Sequence, residues 1–149
     1  MNEVVSSNDI SRTPEDVFAY ATDFAQFGHW QDSVASVTLE RSSPVRIGSE
    51  AIVTRRVGPR RVRATEQITK LTPPSNWEVR GVGGVPVTAI ATGKIEPLDG
   101  GNRSRVTISL GFEGHGIGKL LIPLVIRRQA RRQLPQNTAR LKQVLEHEA

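Results

Sequence analysis

The chain contains no cysteine, which excludes disulfides, thiolate zinc sites and cysteine nucleophiles together. That fits a reducing compartment, so a cytoplasmic location is the expectation. The first residues, Met1-Asn2-Glu3-Val4-Val5, lack a basic stretch followed by a long apolar one, so no secretory signal is expected. Long hydrophobic runs are missing as well. The longest, Ile117 to Ile126, is interrupted by Lys119 and Pro123 and reaches about half of the ~20 residues that span a bilayer. Aromatic residues make up only 5% of the chain. The three histidines, His29, His115 and His147, have no metal-ligand spacing, and neither a metal nor a cofactor is expected. No repeat, low-complexity segment or linker divides the 149 residues, so one domain over 1–149 is expected.

What is present in excess is positive charge, +5 overall, and it is local. Residues 1–118 hold 13 bases and 13 acids, whereas residues 119–149 hold seven bases (Lys119, Arg127, Arg128, Arg131, Arg132, Arg140, Lys142) against Glu146 and Glu148. A second cluster, Arg55-Arg56 and Arg60-Arg61-Val62-Arg63, is balanced by acids elsewhere.

The periodicity predicts one strand, two short helices, six further strands and a long terminal helix. Val4 to Ile10 reads as the first strand. Thr13 is placed to cap a helix that Pro14 opens and Asp16 completes in a box-like cap, with Val17, Phe18, Tyr20 and Ala21 inside it. A second helical piece runs from Asp23 to Phe27 and leads past Gly28 to Trp30. The predicted strands are Val34–Glu40, Ser49–Val57, Arg61–Leu71, Trp77–Gly81, Val85–Glu96 and Arg103–Glu113. The breaks between them carry turn chemistry, among them Ser42-Ser43-Pro44, Thr72-Pro73-Pro74 and Asp99-Gly100-Gly101-Asn102. In the last strand Val106, Ile108, Leu110 and Phe112 alternate with Thr107, Ser109, Gly111 and Glu113, the pattern of an antiparallel sheet with one wet face. Beyond Gly118, the residues Leu120, Leu124, Arg131, Leu134, Thr138, Leu141 and Leu145 share a helical stripe. Pro123 falls near its first turn; Pro135, in the interior, is expected to kink or split the helix.

A seven-stranded sheet twists and curls. Curled around a single helix, with small residues such as Ala51, Val53, Ala64, Val87, Ala89, Ala91 and Gly93 on its presumed inner face, it leaves a hollow. This order of elements resembles the helix-grip superfamily that includes START domains, birch-pollen-type allergens and polyketide cyclase/dehydrase-like proteins, and most closely the small bacterial members of the last group. The residues that carry the resemblance are Pro14-Glu15-Asp16-Val17-Phe18, Trp30, Val45-Arg46-Ile47-Gly48-Ser49, Pro73-Pro74 before Trp77, Glu96-Pro97-Leu98 with Gly100 to Thr107, and Leu141 to Glu146. The resemblance implies an α+β helix-grip fold and a lipid, polyketide, sterol, quinone or similar apolar ligand. It brings no universal catalytic motif.

Three functions follow as alternatives. The first is binding of a small apolar molecule between sheet and terminal helix. Its wall would be formed by Phe27 and Trp30 from the helical segment; Val53, Ala64, Glu66, Trp77 and Val79 from the middle strands; Val87, Ala89 and Ala91, then Ile108, Leu110 and Phe112, from the last two; and Leu120, Leu124, Arg127 and Arg131 from the helix. The rim would comprise Phe24–Trp30, the Val57–Arg61 turn, the Gly81–Pro86 loop and the start of the helix. The second is a cyclase or dehydratase with Glu66 or His29 as acid/base. Glu66 shares the inward face with Val62, Ala64 and Ile68, where a carboxylate either has its pKa raised or pairs with an arginine, Arg127 or Arg131 being within reach. The third is an interaction module that meets an anionic partner, including transient contact with a membrane surface, through the basic helix. That helix lacks aromatics for base stacking, so nucleic acid is not expected. The protein is expected to be a monomer or homodimer. Gly114 to Lys119 fails the phosphate-loop spacing and reads as a gate or hinge.

Overall fold

The computed structural model describes residues 3–39, 45–82, 87–117, 119 and 126–147. Strand β1 (Val4–Ile10) leads to helix α1 (Pro14–Ala21), a 3₁₀ turn (Phe24–Gln26) and a one-turn helix α2 (Phe27–Trp30). Six strands follow: β2 (Val34–Leu39), β3 (Glu50–Val57), β4 (Arg60–Thr72), β5 (Asn76–Val82), β6 (Val87–Leu98) and β7 (Arg103–Gly114). Helix α3 (Arg127–His147) completes the order. The strands form one sheet in the order β1-β7-β6-β5-β4-β3-β2, every neighbouring pair antiparallel. The architecture is the α+β helix grip expected from the sequence. A bulge between Ile68 and Lys70 interrupts the longest strand, β4, and bulges of this kind bend the strand and raise its twist, which helps the sheet curl.

Local chemistry accounts for the entry into α1. Thr13 is extended, and its side chain accepts from the Asp16 N–H, satisfying one of the free donors of the first turn. Asp16 does not complete the box: its carboxylate takes two hydrogen bonds from Arg12 instead. Asp23 caps the 3₁₀ turn through the Ala25 N–H. The core lies on the concave face. Ala51 and Val53, Ile68, Trp77 and Val79, Ile95, and Val106 and Ile108 meet Val17, Phe18 and Ala21 of α1, and Ala130, Leu134, Leu141 and Leu145 of α3.

Two features of α3 refine the sequence reading. Of the two outcomes expected at Pro135, a split does not occur: residues 127–147 form one helix through the proline. Arg131 does not belong to the buried stripe. It is exposed, and the inward positions are Ala130, Leu134, Asn137, Thr138, Leu141 and Leu145. The back half of the helix is sewn to β1 and to the link into α1. The Ser6 and Thr138 hydroxyls lie 2.8 Å apart, Lys142 Nζ donates to the Asp9 carbonyl at 2.7 Å, Arg12 Nη1 donates to the Leu145 carbonyl at 2.7 Å, and the Ser11 N–H donates to Glu146 Oε2 at 2.8 Å. Lys142 also reaches Glu146 at 2.8 Å.

The hydrogen bond from Lys142, reinforced by the Ser11 N–H, holds the Glu146 carboxyl below its ordinary pKa of 4.5. Stability contributed by a depressed carboxyl is complete above its ordinary pKa and is lost as pH falls through the lowered value. Glu146→Gln is therefore expected to lower Tm by roughly 3 °C at neutral pH and to leave it nearly unchanged near pH 2. Thermal melts across that window check this, and a deficit of equal size at both ends would contradict it.

Candidate functional site

Where the concave face, α2 and the middle of α3 meet, a hollow of about 80 Å³ remains. Its walls come from Ala21 on α1, Phe27 and Trp30 on α2 with the adjoining Gln31, Trp77, Val79 and Gly81 on β5, Ala89 and Ala91 on β6, Ile108 and Leu110 on β7, and Leu134 and Asn137 on α3. Arg55 of β3 and Glu66 of β4 complete it. Ala89 is exposed although it lies on the inward side with Ala91, so the hollow opens near the start of β6. The volume is about half that of a cavity of roughly 150 Å³ known to admit benzene. The scarcity of aromatics overstated the empty space. Phe18, Phe24, Phe27, Trp30 and Trp77 are all buried, in edge or tilted ring contacts: Phe18–Trp77, Phe24–Phe27 and Phe27–Trp30.

One close approach sets the floor. Gly93 faces Trp77 directly across the β5–β6 ladder, and a Cβ built on Gly93 would lie only 2.1–2.3 Å from three indole carbons. The glycine therefore lets the ring lie flat on the sheet, edge-on to Phe18 at 5.9 Å.

The polar groups of the hollow are of two kinds. Arg55 and Glu66 satisfy each other. Arg55 Nε donates to Glu66 Oε2 at 2.7 Å and Nη2 to Oε1 at 3.0 Å, while Nη1 donates to Ser33 Oγ at 2.9 Å. Their strand registers are offset, with only the small Val53–Ala64 pair between them. Glu66 is 8% exposed. Burial works against the charge on Arg55, but the attraction and hydrogen bonding of Glu66 prevail and hold its pKa above the ordinary value. The second kind is unsatisfied. Trp30 is 4% exposed, and its buried indole N–H has no hydrogen-bond partner among the described residues. Asn137 uses its Oδ1 to accept from the Asp32 N–H at 2.9 Å; among the described residues its amide N–H groups have no acceptor.

The residues expected on the wall separate into three groups. Phe27, Trp30, Glu66, Trp77, Val79, Ala89, Ala91, Ile108 and Leu110 surround the hollow. Val53 is fully buried in the core, and Ala64, Val87, Phe112 and Arg127 are half-buried away from it. Arg131 points to solvent, and the cation on Glu66 is Arg55, not a helix arginine. Leu120 and Leu124, like most of the Gly81–Pro86 loop, lie outside the described residues. His29 is exposed and does not line the hollow. Sequence reasoning missed Ala21, Gln31, Arg55, Leu134 and Asn137, and placed Gly81 at the rim. Arg55 was legible in principle: it shares the inward alternation of Ala51 and Val53, although in sequence it falls in a basic cluster balanced by acids elsewhere. Among the described residues, no group of three His, Asp or Glu side chains is placed to hold a metal, and no helix is long and apolar enough to cross a membrane.

The fold has many relatives among solved structures. TTHA0849 from Thermus thermophilus superimposes with a TM-score of 0.76 at 18% identity, over 97% of this chain and 97% of that one. A START superfamily protein from Mycobacterium smegmatis gives 0.72 at 11% identity, over 95% and 98%. The di-domain ARO/CYC BexL from the BE-7585A biosynthetic pathway gives 0.68 at 14% identity, over 96% of this chain and 46% of that one. Identities this low carry the fold alone. No curated protein matches the sequence. Among sequence families, the one described as polyketide cyclase / dehydrase and lipid transport matches residues 1–146.

Proposed function

We propose that this chain, which belongs to the polyketide cyclase / dehydrase and lipid transport family, binds a small, largely apolar molecule that carries a hydrogen-bond acceptor. One observation carries the reading: the indole N–H of Trp30 is buried beside the hollow and has no acceptor among the described residues. A buried donor without a partner costs about 1–3 kcal/mol, and a ligand carbonyl or hydroxyl oxygen would recover it. The free amide N–H groups of Asn137 offer a second donor to the same oxygen or its neighbour. The Arg55–Glu66 pair is already saturated by its own contacts and gives the hollow a fixed polar edge. A space of about 80 Å³ takes the oxygen-bearing end of a molecule whose remainder passes out beside Ala89.

The chain has two tryptophans, and both line the hollow. Their two indole N–H resonances form a built-in reporter. Cyclohexanone is expected to shift the Trp30 indole proton on binding, with millimolar affinity. Methylcyclohexane, which has no oxygen, should bind about tenfold more weakly. Trp30→Phe should erase that preference. Two outcomes refute the proposal: equal affinity for both compounds, or indole resonances that neither compound moves.

A further inference from the structure

The basic clusters at residues 55–63 and 127–132 are far apart in the chain, yet the fold brings them together. The Gly58 N–H donates to Gln129 Oε1 at 3.0 Å, and Gln129 Nε2 donates to the Arg56 carbonyl at 2.8 Å. These two bonds clip the β3–β4 turn onto the first turn of α3. Gly58 makes the clip feasible, since its φ of +58° suits glycine best. Arg60, Arg61 and Arg63 on one side, and Arg128, Arg131 and Arg132 on the other, are all exposed.

Lack of charge pairing marks the two clusters rather than the whole end. Arg12, Arg80, Arg103, Arg105 and Arg140 each sit in an ion pair with a carboxylate, the Arg80–Glu113 pair at this same end of the sheet. Among the described residues, Arg60, Arg61, Arg63, Arg128, Arg131 and Arg132 sit in none. Two large aliphatic side chains are exposed at the same end of the sheet, Val62 at 37% and Ile117 at 68%, with Lys119 exposed close by in the chain. None of the seven aromatic residues is exposed, so the patch has no platform on which bases could stack. Dense unpaired arginine with interspersed aliphatic side chains fits a surface of phosphate headgroups over hydrocarbon.

We propose that this end of the protein is a docking surface for anionic lipid bilayers. It is the end at which Ala89 opens the hollow, so docking turns the mouth toward the lipid. The proposal concerns the outer surface and stands apart from ligand binding inside the hollow.

Sedimentation with vesicles tests it. The protein is expected to bind vesicles of equimolar phosphatidylcholine and phosphatidylserine, to ignore vesicles of phosphatidylcholine alone, and to be released as salt rises from about 50 mM to about 300 mM. The quadruple variant R60Q/R61Q/R128Q/R132Q should lose binding at least tenfold. R46Q/K94Q, which removes two exposed bases elsewhere, should bind like the parent. Equal sedimentation with both vesicle types, or an unaffected quadruple variant, overturns the proposal. So does tighter binding to poly(U) than to the charged vesicles, which would assign the patch to nucleic acid. Cyclohexanone titration of the same variants reads the hollow separately, so either proposal can fail without the other. Thermal melts confirm that the variants are folded.

Discussion

Replacing Gly93 with alanine is expected to destabilise the protein by at least ~3 kcal/mol, at the upper end for an overpacked core. The added methyl would occupy the space of the Trp77 indole. The ring is 4% exposed and meets Phe18 edge-on at 5.9 Å, so it is driven into the hollow it lines, or the β5–β6 ladder opens, or α1 is pushed off the sheet. The mechanism makes a sharper prediction through a double-mutant cycle. Trp77→Val alone should cost about 3–5 kcal/mol through the void it leaves, but once the ring is gone the alanine at 93 should cost little more. Urea denaturation of the two single variants and the double variant measures this. Additive losses would mean that the ring and the glycine are not the interacting pair.

The second large effect is expected at Arg55. Arg55→Leu should cost about 3 kcal/mol, because it strands the Glu66 carboxylate at the edge of the hollow with both oxygens unpaired. Removing the carboxylate as well, in R55L/E66L, should recover most of that loss, since two buried charges replaced by aliphatic side chains leave no uncompensated group. Denaturant midpoints check both values. If the double variant is no more stable than R55L, the cost does not come from the stranded charge.

The sequence was informative wherever alternation met clear turn chemistry. In β7, Val106 and Ile108 are buried as alternation requires, with Leu110 and Phe112 half-buried further along. The Asp99–Gly101 turn joins β6 to β7 as its two glycines suggest. Helix α1 begins where Thr13 and Pro14 place it. What sequence could not deliver was long-range geometry. Arg55 looks like its neighbours Arg56, Arg60 and Arg61 in sequence, and only the β3–β4 register turns it inward onto Glu66. Asn137 breaks the apolar stripe of α3, so nothing in the periodicity marks it as a wall residue. Its inward position is fixed by the backbone N–H of Asp32. Likewise, composition alone does not reveal that Phe27 and both tryptophans gather around one space and shrink it.

The unbroken passage of α3 through Pro135 has a mechanical consequence. Proline supplies no N–H, so the carbonyl one turn earlier loses its partner there, and the rod is weakest between its two unlike halves. Behind that point, bonds from Ser6, Asp9, Ser11 and Arg12 fasten it. Ahead of it, Gln129 supplies the polar attachment, to Gly58 in the β3–β4 turn and to Arg56 near the end of β3, while Ala130 and Leu134 pack into the core. The molecule thus resembles a clasp riveted at its heel.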